Sequence, residues 1–216
     1  MATVGNIMTR ERPFQQVDHV LIIGSGKNAV EADKFDLPNT TYIAVNHAWK
    51  ATKNWSYWLH SGDFKGEKFN GPNEDRKVIS SSKPAGNTGY NEACKRYGGI
   101  RETGYSIMLN ASYWAMEFLS PKRIGYIGAD MNYSTGPEGE TAFYGVGVDI
   151  QRNKVPDPDR MAEKYGKKDP AEYLRNIYMK FYDNAQKNKI EVYNLSNDPD
   201  SRLPYPKIDW REFEIR

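Results

Sequence analysis

The chain switches repeatedly between short apolar runs that stop abruptly and longer polar, glycine-rich stretches. The sharpest switch is Val20-Leu21-Ile22-Ile23 running into Gly24-Ser25-Gly26. An unbroken apolar run bounded by glycine reads as a strand buried on both faces, as in a parallel sheet. Strand one is predicted over His19–Gly24, followed by a short helix over about Ala29–Lys34 that ends at Asp36–Pro38. The stretches TYIAVN (Thr41–Asn46) and RIGYIGAD (Arg123–Asp130), the latter with its strand over Arg123–Gly128, repeat the form, each apolar until a polar final residue. Ser56–His60 reads as a third strand, Lys77–Ser80 as a shorter fourth and Ile190–Leu195 as the last.

Helical spacing is clearest over Tyr105–Leu119, where Ile107, Ala111, Trp114, Ala115 and Phe118 share one face and Pro121 follows the end. Asp169-Pro170 combines a capping residue with proline at the first helical position. That helix is predicted to run to about Lys187 with Leu174, Ile177, Tyr178, Phe181 and Ala185 inward. Phe64–Arg76, Ser81–Thr103 and Met131–Pro158 carry little periodicity and are expected to be mostly loop. The resulting order, β-α-β-β-β-loop-α-β-loop-α-β, predicts an α/β fold with a mainly parallel sheet flanked by helices. One nucleotide-binding domain is expected over 1–216, with a polar lead-in at 1–18 and a Pro/Asp-rich tail at 196–216.

Composition narrows this picture only a little. At 216 residues the chain is long enough for a real core, and its 15 Tyr and five Trp argue against disorder. A net charge of +2 is not the basic footprint of a dedicated nucleic-acid binder. Lys164–Lys168 and Lys187–Lys189 read as solvated faces, so a nucleic-acid acceptor is the weaker expectation. Cys94 is the single cysteine, which rules out an internal disulfide, and no Cys/His spacing fits zinc. No apolar run approaches a membrane span. A soluble, cytoplasmic protein is expected, binding small-molecule substrates.

Strands that end in polar residues place candidate chemistry along one sheet edge, where open α/β folds bind ligands. Gly24, Ser25 and Gly26 would bring backbone amides close to a phosphate, with a helix N-terminus behind them. The turn is neither a P-loop nor a full dinucleotide fingerprint, because strand two ends in Asn46 where an acidic residue would be needed. Asn46 can both donate to and accept from a base or ribose. His47, and His60 with Asp63, are candidates for acid–base work near neutrality. Asp130, closing Gly128-Ala129-Asp130, could take a ribose hydroxyl, orient an acceptor or hold a metal. Asp157-Pro158-Asp159 and Asp198-Pro199-Asp200 imitate a metal motif but read as turns.

The ordered set VLIIGSGKNAVEAD, AVNHAW, ETGYSIMLNASYWAMEFLSPKRIGYIGADMNY and IEVYNLS resembles the small single-domain bacterial sialyltransferases. The wider relatives of that family include MptE-like pterin diphosphokinases. The resemblance covers roughly residues 19–203 and implies a Rossmann-like sheet. By that likeness Gly24, Ser25, Gly26, Asn46, Thr103, Gly104, Gly128 and Asp130 would line a nucleotide pocket. It further implies a CMP-linked sugar as donor, no essential metal, and Tyr133 and Tyr144 assisting departure of the nucleotide phosphate. The family carries a histidine base late in its chain, whereas the last histidine here is His60. The base would then come from His47, His60, Asp63 or Asp130. The expected activity is metal-independent transfer of a nucleotide-activated sugar to a hydroxyl. The alternatives are an Mg²⁺-dependent diphosphotransferase, with Asp63 and Asp130 sharing the ion, or a nucleotide-binding module without catalysis.

Overall fold

A computed structural model of the chain describes residues 15–60, 64, 77–80, 89–99, 103, 106–131, 140, 142–145 and 170–215. Six strands form one sheet: β1 His19–Ile23, β2 Thr40–Val45, β3 Tyr57–His60, β4 Lys77–Ser80, β5 Arg123–Ile127 and β6 Glu191–Asn194. Their order is β4-β3-β2-β1-β5-β6, and every neighbouring pair is parallel. The chain steps outward from β1 to β4, then crosses back over the sheet to place β5 on the other side of β1. That reversal makes the gap between β1 and β5 a topological switch point. The fold is a Rossmann-like α/β sheet flanked by helices.

The unbroken apolar strands are explained by cover on both faces. Val20 and Ile22 face a core shared with helices α1 (Tyr90–Arg96), α2 (Ile107–Phe118) and α3 (Pro170–Lys187). Leu21 and Ile23 face the opposite way, into a second core. This second face is covered by short 3-10 helices at Lys27–Lys34, Asn46–Lys50 and Trp210–Glu212. The predicted helix over Ala29–Lys34 is therefore present in the tighter 3-10 form. Among the described residues, no helix is long and apolar enough to cross a membrane.

Three expectations change. Helix α2 was expected to bury a single stripe, yet all nine residues from Met108 to Met116 are buried. It is wedged between the sheet and helices α1 and α3, which leaves Ile107 and Phe118 half-buried at its ends. Helix α1 falls inside a region expected to be loop. Its glycine frame hides it: Gly89 enters at φ +66°, and Gly98 and Gly99 leave at +97° and +93°. A Cβ at Gly89 would sit 2.2 Å from the Phe118 ring.

The third change is the tail, which is a structural strap. Leu203 and Tyr205 pack into the α-helical core, Lys207 pairs with Asn194 beside β6, and Ile208, Trp210 and Phe213 lie on the opposite face. Phe213 is fully buried, with its ring against Gly125 and His19. The Arg123 guanidinium donates to the Phe213 carbonyl at 3.0 Å, and Glu214 accepts from the Thr40 hydroxyl at 2.7 Å. The strap thus closes the amino edge of the sheet.

Candidate functional site

At the carboxyl edge, the turns after β1 and β5 are locked together by their backbones. The Gly24 amide donates to the Ile127 carbonyl and the Gly26 amide to the Gly128 carbonyl, both at 2.8 Å. A Cβ on Gly24 would lie 2.2 Å from the Gly128 oxygen, so the close approach requires glycine there. Gly128 itself takes φ +69°. This corrects the expected phosphate cradle at two positions, because the amides of Gly24 and Gly26 are committed inside the fold. Ser25 is buried, and its carbonyl accepts from the Phe143 amide at 3.3 Å.

Beside this lock, three polar side chains come off three different strands. Asn28 follows β1 in the first turn of the 3-10 helix, Asn46 follows β2, and Asp130 follows β5. Asn28 Oδ1, Asn46 Oδ1 and Asp130 Oδ1 are each shut from water and make no hydrogen bond among the described residues. An unsatisfied buried acceptor costs about 1–3 kcal/mol, so three at one edge need a reason. The backbone there is also unusual: Asn46 sits at φ +50° and Met131, next to Asp130, at +53°. Left-handed conformations at non-glycine residues concentrate where function over-determines the structure. Asp130 is only 6% exposed, and its other carboxyl oxygen lies 3.0 Å from where a Gly26 side chain would begin.

A second group forms next to Asn46. Its carbonyl accepts from the buried Trp58 indole at 2.6 Å, and His47 continues the chain. The His47 ring lies 4.6 Å from the Tyr144 ring and 4.9 Å from Phe64. His60, at the end of β3, lies 4.5 Å from Trp58 and 5.9 Å from Phe64. Both histidines are buried. The fold therefore gathers His47 and His60 around Phe64, with Tyr144 against His47, although they are far apart in sequence.

Thr103 is placed differently. It is fully buried in the joint between α1 and α2, where its hydroxyl donates to Asn110 Oδ1 at 2.8 Å; the Asn110 amide in turn donates to the Tyr90 hydroxyl. A hydroxyl carries one proton, and this one is spent inside the joint, so Thr103 does not offer it to a nucleotide as the resemblance implied. Gly104, Asp63 and Tyr133 lie outside the described residues, as do Asp157 and Asp159. Asp198, by contrast, closes a turn by accepting from the Asp200 amide, as the sequence reading of Asp198-Pro199-Asp200 expected. Among the described residues, no three His, Cys, Asp or Glu side chains are grouped to hold a metal ion.

Three residues that the sequence did not single out as site residues, Asn28, Ser196 and Arg202, belong to this edge. The Asn28 side-chain amide donates to Ser196 Oγ, on the loop after β6, and the Arg202 amide donates to the Asp130 carbonyl at 2.7 Å. Nothing in the local sequence marks Asn28, a polar residue in a short helix, as different from a solvated one. The site is thus an edge of an open, doubly wound parallel sheet, bounded by loops after β1, β2, β3, β5 and β6. Comparison of the chain with protein-family models, with curated proteins and with solved structures finds no match.

Proposed function

We propose that this edge binds the nucleotide part of an activated sugar, and that the chain transfers the sugar to an acceptor hydroxyl. The observation that carries the reading is the set of three unpaired buried oxygens on Asn28, Asn46 and Asp130 beside the switch point. Acceptors without donors call for a ligand rich in donors, which a nucleoside supplies through ribose hydroxyls and an exocyclic amino group. They do not by themselves call for phosphate. Two further donors suit the phosphate: the amides of Lys27 and Asn28 open the 3-10 helix without a backbone acceptor among the described residues. A ligand reaches the buried oxygens only when the groups covering them move aside.

In the proposed reaction the acceptor oxygen forms a bond to the anomeric carbon as the bond to the nucleotide phosphate breaks. The acceptor proton passes to a base, and the phosphate leaves with the bonding electron pair. His47 and His60 support that step, since imidazole can hold a proton at neutral pH; His47 follows Asn46 directly, and His60 lies against the Trp58 ring that donates to the Asn46 carbonyl. Tyr144, against His47, is the candidate donor toward the leaving phosphate. The donor favoured by the resemblance is a CMP-sugar, with no metal required.

Thermal-shift titration with CMP, UDP, GDP and ATP, each with Mg²⁺ and with EDTA, tests the reading together with an assay of donor turnover. Stabilisation by a pyrimidine nucleotide in EDTA, with release of nucleotide from its sugar conjugate, is the expected result. Strict dependence on Mg²⁺ with ATP would replace it with diphosphoryl transfer. Binding without turnover would leave a nucleotide-binding module, and no stabilisation by any of the four would overturn the site.

A further inference from the structure

We infer that the loop after β6 is a working wall of this site, with Asn28 taking a donor group from the ligand and Ser196 acting as its positioning residue. The inference rests on the nucleotide reading and adds to it Ser196 and the loop after β6. Ser196 is 1% exposed, and its hydroxyl oxygen accepts from both the Asn28 side-chain amide and the Asp198 backbone amide. With the NH₂ end of the Asn28 side chain held by Ser196, the carbonyl oxygen is buried and left without a donor among the described residues. An amide held at one end and unmet at the other is oriented for a third party.

The wall itself is tied down at many points, which is what positioning requires. The Ser196 amide donates to Asn194 Oδ1 at 2.9 Å, and the Asn194 amide donates to Ser201 Oγ at 3.0 Å. Asn197 donates to Glu31 on the same 3-10 helix as Asn28, and Lys207 donates to the Asp198 carbonyl, both at 2.9 Å. The Arg202 amide then reaches the backbone of Asp130. One rigid loop therefore holds the elements carrying two of the three unpaired oxygens. A change in the loop alters both at once.

The test is a double-mutant cycle in binding, read by calorimetry with whichever of CMP, UDP, GDP and ATP wild type binds most tightly. Asn28→Ala is expected to weaken binding about tenfold, the worth of one hydrogen bond, and Ser196→Ala by about threefold or more. The double variant is expected to bind no worse than Asn28→Ala alone, because Ser196 acts through Asn28. Melting temperatures measured without ligand separate this from a structural role. If both single variants melt earlier yet bind within about twofold of wild type, the wall is structural and the inference fails while the nucleotide reading stands. Additive losses in affinity would equally overturn the positioning role of Ser196. If wild type binds none of the four nucleotides, the nucleotide reading fails, and this inference with it.

Discussion

At the amino edge of the sheet the charged groups and the Thr40 hydroxyl are met: Arg123 by Glu191 and the Phe213 carbonyl, Thr40 by Glu214, Asp18 by Lys122; the buried His19 Nδ1 is the exception there among the described residues. Lys122 holds the Asp18 carboxyl below its usual range through that hydrogen bond. At the carboxyl edge of the same strands, Asn28, Asn46 and Asp130 keep oxygens that meet no hydrogen-bond donor among the described residues. The strands are shared, so strand propensity cannot explain the contrast. One edge is largely finished by the chain's own tail and keeps one unmet ring nitrogen, on His19, whereas the other keeps three unmet acceptor oxygens from three strand ends. A fold selected for stability alone would satisfy or delete those oxygens, each costing about 1–3 kcal/mol.

Mutations can break that contrast. The largest effect is expected from Phe213→Ala, which empties the buried strap contact; such a truncation costs about 3–5 kcal/mol. Chemical denaturation should show that loss, with nucleotide affinity near wild type at low temperature. A matching loss of affinity would mean the two edges are not separable. Gly24→Ala, driving a methyl onto the Gly128 carbonyl, should cost about 1–3 kcal/mol or more and weaken binding too, since it pries the two turns apart.

Asp130→Ala should do the reverse of Phe213→Ala. The Asp130 carboxyl makes no hydrogen bond to the described residues, so the free protein should keep its stability within about 1 kcal/mol, while affinity falls about tenfold or more. A large fall in melting temperature would make Asp130 a structural residue and remove the contrast. Asn46→Gly keeps the left-handed turn and deletes the acceptor. A stability change within about 1 kcal/mol with a severalfold weaker Kd is the expected outcome.

The smallest effect concerns pH at the amino edge. Burial, with the Arg123 charge behind it, pushes the His19 pKa below its ordinary value, so folding favours the neutral ring. The unfolded chain binds the proton more readily, and stability rises with pH wherever that is so. His19 should therefore contribute fully above about pH 6.5, the ordinary histidine value, and its contribution should fall as pH drops toward the depressed folded value. Glu214, Asp18 and Lys122 also face the ring, the two acids opposing the shift. Denaturation of wild type and His19→Gln between pH 7.5 and 5 measures it; parallel curves would assign the pH dependence elsewhere.

Legibility in the sequence followed the length and continuity of the signal. All six strands lie within a residue or so of where the apolar runs put them, and β4 matches at both ends. The inward face of α3 was readable at Ile177, Tyr178, Phe181 and Ala185, all buried, because an outer helix covers the sheet with one stripe. Helix α1 was not readable: two turns framed by glycine give too little periodicity to stand out. In the tail, Leu203, Tyr205 and Phe213 are single apolar residues among Pro and Asp, and only their docking gives them meaning.

The sequence alone determined a two-sided parallel sheet, because runs such as Val20–Ile23 have no polar side to offer water. It also determined which strand ends are polar, and so which edge carries Asn46 and Asp130. Tertiary structure decided what those ends do. Hydrogen bonding and burial depend on neighbours from distant segments, and no local pattern encodes them. That is why Gly24 and Gly26 became a lock between two turns, Thr103 turned into a buried joint, and Asn28 was left with an oxygen to offer.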